Sequence, residues 1–248
     1  MKILTDEQES VLQQERGLLN DLRIKLVGYN ASSDDIDSLG QSIVQLDDLF
    51  LLVIVGEFNA GKSAFVNALL GQKLLKEGVT PTTSRITILR YGEKSESNLV
   101  EQGHTLLLYP VDLLSELSIV DTPGTNAVIR QHEELTTRFI PRADLVLFVT
   151  SVDRPFTESE RTFMEHIRDW GKKVIIILNK TDLLENETEL TQVVEFVKEN
   201  ARTLLGSTPE VFPVSSRLAL RAKTGEPNLW QASGFDTLET YIHDNLDQ

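Results

Sequence analysis

The sequence predicts an α/β fold, a doubly wound and mostly parallel sheet, on three observations. An unbroken β-rich run, Phe50-Leu51-Leu52-Val53-Ile54-Val55, closes on Gly56, as a central strand covered on both faces does. Strand-like and helix-like patterns then alternate along the chain, the signature of helices crossing between parallel strands. Amphipathic helical segments flank that alternation at both ends.

Taken in order, Thr5 and Gln8 form a capping box, and Leu12, Leu19, Leu22 and Leu26 follow on one helical face that Gly28 ends. Asp34 can cap a second helix with the stripe Ile36, Leu39, Ile43 and Leu46. Residues 85–91, 104–109, 117–121, 143–150, 174–178 and 211–214 read as strands. Thr157 and Glu160 form another capping box before Phe163, Ile167 and Trp170. Leu190, Val193, Val194, Val197, Ala201 and Leu204 mark a helix stopped by Gly206, and Phe235, Leu238, Ile242 and Leu246 mark a closing one. The expected division is a helical segment over 1–47, a nucleotide-binding domain over 48–222, and a C-terminal helix over 223–248 packing with the N-terminal helices.

The 248 residues suit one such domain with a helical appendage. Without cysteine there is no disulfide and no thiolate metal site, and MKILTDEQES lacks the apolar run of a signal peptide, so a cytoplasmic location is expected. The apolar run at 49–56 falls far short of the roughly 20 residues that span a bilayer. A net charge of −14 repels phosphodiester backbones and anionic headgroups. The expectation is no nucleic-acid partner, and membrane contact only through regions outside this chain. Gly171-Lys172-Lys173 and the cations at 217–223 read as solvated faces.

Gly56-Glu57-Phe58-Asn59-Ala60-Gly61-Lys62-Ser63, with Ala64 opening a helix, has the spacing G-x-x-x-x-G-K-S directly after the buried strand. Its glycines let main-chain amides turn toward a β-phosphate, the helix start adds positive potential, and Lys62 places a charge at the β/γ oxygens. Ser63 is expected to ligate Mg2+. Asp121-Thr122-Pro123-Gly124 ends a neighbouring strand, so Asp121 can hold a water on Mg2+ and the Gly124 amide can meet a γ-phosphate. In the loop Gly78-Val79-Thr80-Pro81-Thr82-Thr83-Ser84, Thr83 is expected to complete the Mg2+ shell, with Thr82 the alternative.

Asn179-Lys180-Thr181-Asp182 follows another buried strand. A carboxylate there accepts hydrogen bonds from guanine N1 and its 2-amino group, which adenine does not offer, so Asp182 discriminates, Lys180 lies along the base, and Asn179 ties this loop to the phosphate loop. Ser215-Ser216-Arg217 brings amides to the guanine oxygen. In this order the motifs describe a site for Mg2+ and GTP or GDP.

GEFNAGKS, GVTPTTSRITIL, IVDTPGTN, PRADLVLFVTSVDRPFTESE and ILNKTDLL resemble the GTPase domain of the dynamin superfamily, in particular the bacterial dynamin-like proteins and the chloroplast fuzzy-onions-like branch. The resemblance covers about 48–220 and is most diagnostic over 141–160. It implies GTP hydrolysis on dimerisation across the nucleotide faces, with a second copy or a related dynamin-like chain, in large proteins that remodel membranes and carry a helical neck. Segments 5–46 and 234–246 are where that neck would lie, and the expectation is a chain that is one module of a larger protein, with a minimal member of the family as the alternative. The resemblance also implies that Asp153 and Arg154 reach toward the partner, unless Arg154 merely pairs with Glu158 or Glu160.

Two departures bear on catalysis. Thr125 stands where small GTPases keep a water-orienting glutamine, and Phe58 where dynamin has one. Asn59 matches the position that several cation-activated GTPases fill with asparagine, so a monovalent cation, potassium in particular, is expected to join Lys62, Ser63, Thr83 and Gly124 in catalysis, unless Asn59 only hydrogen-bonds its own loop. Alternative functions are a GTP-bound scaffold with slow hydrolysis and a ribosome-associated GTPase.

Overall fold

The structure, a computed structural model, describes residues 6–29, 31–32, 35–36, 39–40, 50–78, 86–99, 104–122, 139–169 and 171–246. Eight strands form one sheet: β1 (Leu51–Gly56), β2 (Thr87–Tyr91), β3 (Glu96–Leu99), β4 (Thr105–Tyr109), β5 (Ser118–Asp121), β6 (Leu145–Ser151), β7 (Val174–Asn179) and β8 (Val211–Pro213), in the order β3-β4-β2-β5-β1-β6-β7-β8. All neighbours are parallel except β2 with β5 and β3 with β4. At the centre Val53 lies opposite Val120 of β5 and Val146 of β6. Strand β3 is not among the strands expected from sequence, since Glu96-Ser97-Asn98-Leu99 has no apolar alternation; it pairs with β4 alone, at the edge of the sheet.

Side chains alternate across a strand, so β1 feeds two cores. Leu52 and Ile54 join the first, with α2 (Lys62–Leu70), α5 (Ser216–Thr224) and α7 (Phe235–Leu246). Leu51, Val53 and Val55 join the second, with α3 (Glu158–Asp169) and α4 (Glu187–Leu205). Burial on both faces explains why β1 reads as a continuous apolar run. Phe65 of α2 is fully buried and its ring lies 5.6 Å from that of Phe235. Truncating such a side chain to alanine costs about 3–5 kcal/mol.

Caps set the helix ends. The Thr157 main-chain N–H donates to Glu160 Oε2 at 3.1 Å and the Glu160 N–H to Thr157 Oγ1 at 3.3 Å, the reciprocal box predicted from sequence. Asn186 accepts from the Glu189 N–H, and Gly206 closes α4 at φ 73°. At the N-terminus α1 (Asp6–Gly28) half-buries Leu12, Leu19 and Leu26, while Leu22 is 43% exposed. Asp34 and Thr5 lie outside the described residues; Ser32 accepts from the Asp35 N–H at 3.2 Å, capping a turn that includes Ile36. The short α6 (Trp230–Ser233) leads into α7, whose Phe235, Leu238 and Ile242 are buried in the first core, and the Tyr241 ring lies 4.9 Å from that of Phe212. Among the described residues no helix is long and apolar enough to cross a membrane.

Candidate nucleotide and magnesium site

Strands β1, β5, β7 and β8 run in one direction, so their carboxyl ends share an edge and the loops leaving them converge there. Backbone geometry dictates the glycines of the first loop. Gly56 has φ 145°, and a Cβ on it would lie 2.0 Å from Val149 O; Gly61 caps α2 at φ 94°, where a Cβ would lie 2.3 Å from Asn179 Nδ2. Glu57, Phe58 and Ala64 are half-buried, Ala60 is buried, and Asn59 is exposed at φ 65°, a conformation asparagine tolerates. Among the described residues the Asn59 side chain has no partner in its own loop.

Lys62 folds inward, its Nζ donating to Gly56 O at 3.0 Å and Glu57 O at 2.9 Å. Burial pushes its ammonium down to about 8, against the pull of Asp121, Glu160 and Glu57. A buried cation whose hydrogen bonds go to main-chain carbonyls is poised to take an anion. The Ser63 hydroxyl donates to Asp121 Oδ2 at 3.2 Å, and Thr122 Oγ1 to Ile54 O at 2.8 Å, which fixes the end of β5 beside β1. A hydroxyl and a buried carboxylate, both hard oxygen donors, fit Mg2+. Thr83, its alternative Thr82, Gly124 and Thr125 lie outside the described residues.

At the other end Asn179 joins two loops. Its Nδ2 donates to Ala60 O at 3.1 Å, and its Oδ1 accepts from the Ser216 N–H at 3.1 Å and the Ser216 hydroxyl at 2.9 Å. Asp182 stands on a short turn after β7, its carboxylate accepting from the Ser215 hydroxyl and lying 2.7 Å from Arg217 Nη2. Lys180, at φ 66°, lies 3.4 Å from Asp153 Oδ1. The arrangement presents a buried cation and an oxygen-donor pair at one end and an anchored carboxylate at the other, the two linked by Asn179.

Comparison with known proteins decides the family. Residues 51–180, a little over half of the chain, match the family model of the 50S ribosome-binding GTPases. The chain belongs to this family of P-loop GTPases. It is 38% identical, over 98% of its length, to the probable transmembrane GTPase FZO-like, chloroplastic, of Arabidopsis thaliana, and covers 29% of that protein. To the bacterial dynamin-like protein of Nostoc punctiforme it is 27% identical over 84% of its length, covering 39% of that protein. A solved bacterial dynamin, described as part of an oligomerised pair in long-range sensing and tethering of membranes, shares the fold at a TM-score of 0.70 and 21% identity, over 99% of this chain and 53% of that one. Within the family the chain is a dynamin-like GTPase domain, and it spans less than two thirds of the length of these relatives.

Two parts of this GTPase domain escaped the sequence reading. Asn67, fully buried on α2, accepts from the N–H groups of Leu74 and Leu75 at 2.9 and 2.8 Å and donates to Leu75 O and Glu77 Oε1 at 2.9 and 2.7 Å, so it shapes the chain leading to the threonine-rich loop. A lone asparagine on an otherwise apolar helix was the signal. Ser159 is the second: its hydroxyl donates to Glu57 Oε1 at 2.9 Å. Arg154 is exposed and forms no ion pair among the described residues, and Glu160 accepts from Thr150 Oγ1 and the Thr157 N–H rather than from Arg154.

Proposed function

We infer that the chain binds Mg2+ and GTP and hydrolyses the nucleotide as the catalytic domain of a dynamin-like protein, activated by dimerisation across the nucleotide face and coupled to membrane remodelling through regions outside it. The observation that carries the reading is the convergence of Lys62, the Ser63–Asp121 pair, Asn179 and Asp182 on one edge of the sheet. Lys62 would supply charge to the β/γ oxygens, and Asp182 would select guanine. Ser63 and Asp121, completed by Thr83, would hold Mg2+, which would supply positive charge against the negative charge developing on the phosphates. Support for a dynamin-like rather than a ribosomal role comes from the plant relative, whose similarity runs over 98% of the chain and so into both flanking helical segments, and from the net charge of −14, which repels RNA.

Phe58 carries no hydrogen-bonding group, so water positioning falls to main-chain groups, a cation or a partner. Asn59 would offer an oxygen to potassium there. Exposed Asp153 and Arg154 would face the second molecule.

The test is GTP turnover at two protein concentrations, at fixed ionic strength in potassium, sodium and a large organic cation. Specific activity that rises with protein and is highest in potassium is expected, with the salt preference lost in Asn59→Ala. Specific activity that is flat and near zero would favour the scaffold reading, and equal rates in all three salts would remove the cation from Asn59.

A further inference from the structure

The segment between β6 and α3 touches both ends of the nucleotide site. At the base end the Val152 N–H donates to Asn179 O at 3.1 Å, and Asp153 lies beside Lys180. In its middle Phe156 adopts φ 60°, a conformation unfavourable for a bulky residue that persists only where the surroundings over-determine it. Here its ring is buried against Phe148, with 6.4 Å between centroids. At the phosphate end the first turn of α3 meets the phosphate loop. Ser159 Oγ donates to Glu57 Oε1 at 2.9 Å and lies 3.2 Å from Thr157 Oγ1, and Thr157 is locked to Glu160 by the capping box. A rigid cap thus grips a side chain of the loop.

The two arms of that loop are held differently. The exit arm is fixed by α2, by the close packing of Gly61 on Asn179, and by the bond from Asn179 to Ala60 O. The entry arm, 57–59, turns through the Ala60 N–H to Glu57 O at 3.2 Å, its Glu57 main chain is also bonded to the Glu160 carboxyl of the α3 cap, and Asn59 is exposed. Lys62 also reaches this arm at Glu57 O, but its ammonium is what a phosphate recruits; Ser159 holds the arm from a separate element.

We propose that Ser159 is a positioning residue for GTP hydrolysis, its hydrogen bond to Glu57 fixing the entry arm of the phosphate loop and with it Phe58 and Asn59. The proposal rests on the GTPase reading above. Lys62 and the exit arm keep their own supports without this bond, so its loss should lower turnover and leave affinity nearly intact. Ser159 is at the second position of α3, where alanine is well tolerated, so the variant should fold.

The experiment measures turnover and nucleotide affinity in the 248-residue chain for wild type, Ser159→Ala, Ser159→Thr, Glu57→Ala and the double alanine variant. Ser159→Ala is expected to lower kcat about tenfold, the scale of one hydrogen bond to a charged group, with affinity changed less than about threefold. Ser159→Thr, which keeps the hydroxyl, should retain most of the rate, and the double variant should be no slower than the slower single one. If wild type turns over GTP while Ser159→Ala matches it, or if the single losses multiply in the double variant, the positioning role is overturned. If wild type itself does not turn over GTP, the GTPase reading fails first.

Discussion

The phosphate end and the base end of the site are built on opposite plans. At the phosphate end the main chain does the shaping: two glycines take conformations that a side chain would block, and the cation, Lys62, is buried. At the base end side chains hold one another across three loops, through Asp182 with Ser215 and Arg217, Lys180 with Asp153, and Asn179 with Ser216; Arg217 is 66% exposed there and Asp182 10%. Main-chain cradles tolerate few residue types, so substitutions should act abruptly at the phosphate end. A side-chain network can re-pair, so losses at the base end should be graded and should show in selectivity.

The largest effect expected is from Lys62→Ala. Among the described residues it removes the one buried cation facing the phosphate edge, and GTP affinity should fall by two orders of magnitude or more, about 3 kcal/mol. A fluorescent-nucleotide titration checks this, and affinity within tenfold of wild type would mean that main-chain amides alone hold the phosphates.

Next comes Asn179→Ala, which cuts the link between the ends. It strands the buried Ser216 N–H, and Asn179 itself is only 2% exposed, so about 2–4 kcal/mol of stability should be lost in urea unfolding. Smaller at the level of affinity is Asp182→Asn, where an amide presents a donor in place of an acceptor. Preference for GTP over ATP should fall on the order of a hundredfold, since the guanine N1–H would face an unsuitable group. An unchanged preference would take Asp182 out of base recognition and leave it a partner of Ser215 and Arg217.

The same contrast explains what could be read from the sequence. The main-chain end imposes glycines at fixed spacing, so Gly56, Gly61 and Lys62 announce themselves, and burial on both faces writes β1 as an apolar run. The core of α4 and the capping box at Thr157 and Glu160 were legible for similar local reasons. Strand β3 was not, because an edge strand needs no apolar alternation. Ser159 was invisible as part of the site because its partner Glu57 is 102 residues away, and only the fold brings a helix cap against the phosphate loop. Asp182 was legible as a motif, but its hold on Arg217 was not, since that pair depends on where α5 begins.

The smallest and most pointed effect concerns Glu160, the anchor of the cap that holds Ser159. Burial pushes its carboxyl up from 4.5 to about 7, partly offset by hydrogen bonds from the Thr157 N–H, the Thr150 hydroxyl and the Glu57 main chain and reinforced by repulsion from the Glu57 carboxylate; Lys62 is a cation that faces it. The folded protein therefore holds this proton more tightly than the unfolded chain. The stability it contributes is fully present below about pH 4.5 and is lost as pH rises through 7, up to roughly 3 kcal/mol in the limit of a fully retained shift. Glu160→Gln keeps an oxygen to accept from Thr157 and Thr150 but cannot ionise. Between pH 5 and 6.5, below the range where Lys62 titrates, wild type should lose about 1–2 kcal/mol more stability than the variant in urea unfolding, the part of that limit falling inside the window. Parallel pH profiles for the two proteins would show that the Glu160 carboxyl is solvated in the fold, and that the cap beside the phosphate loop is held by Thr157 and Ser159 without it.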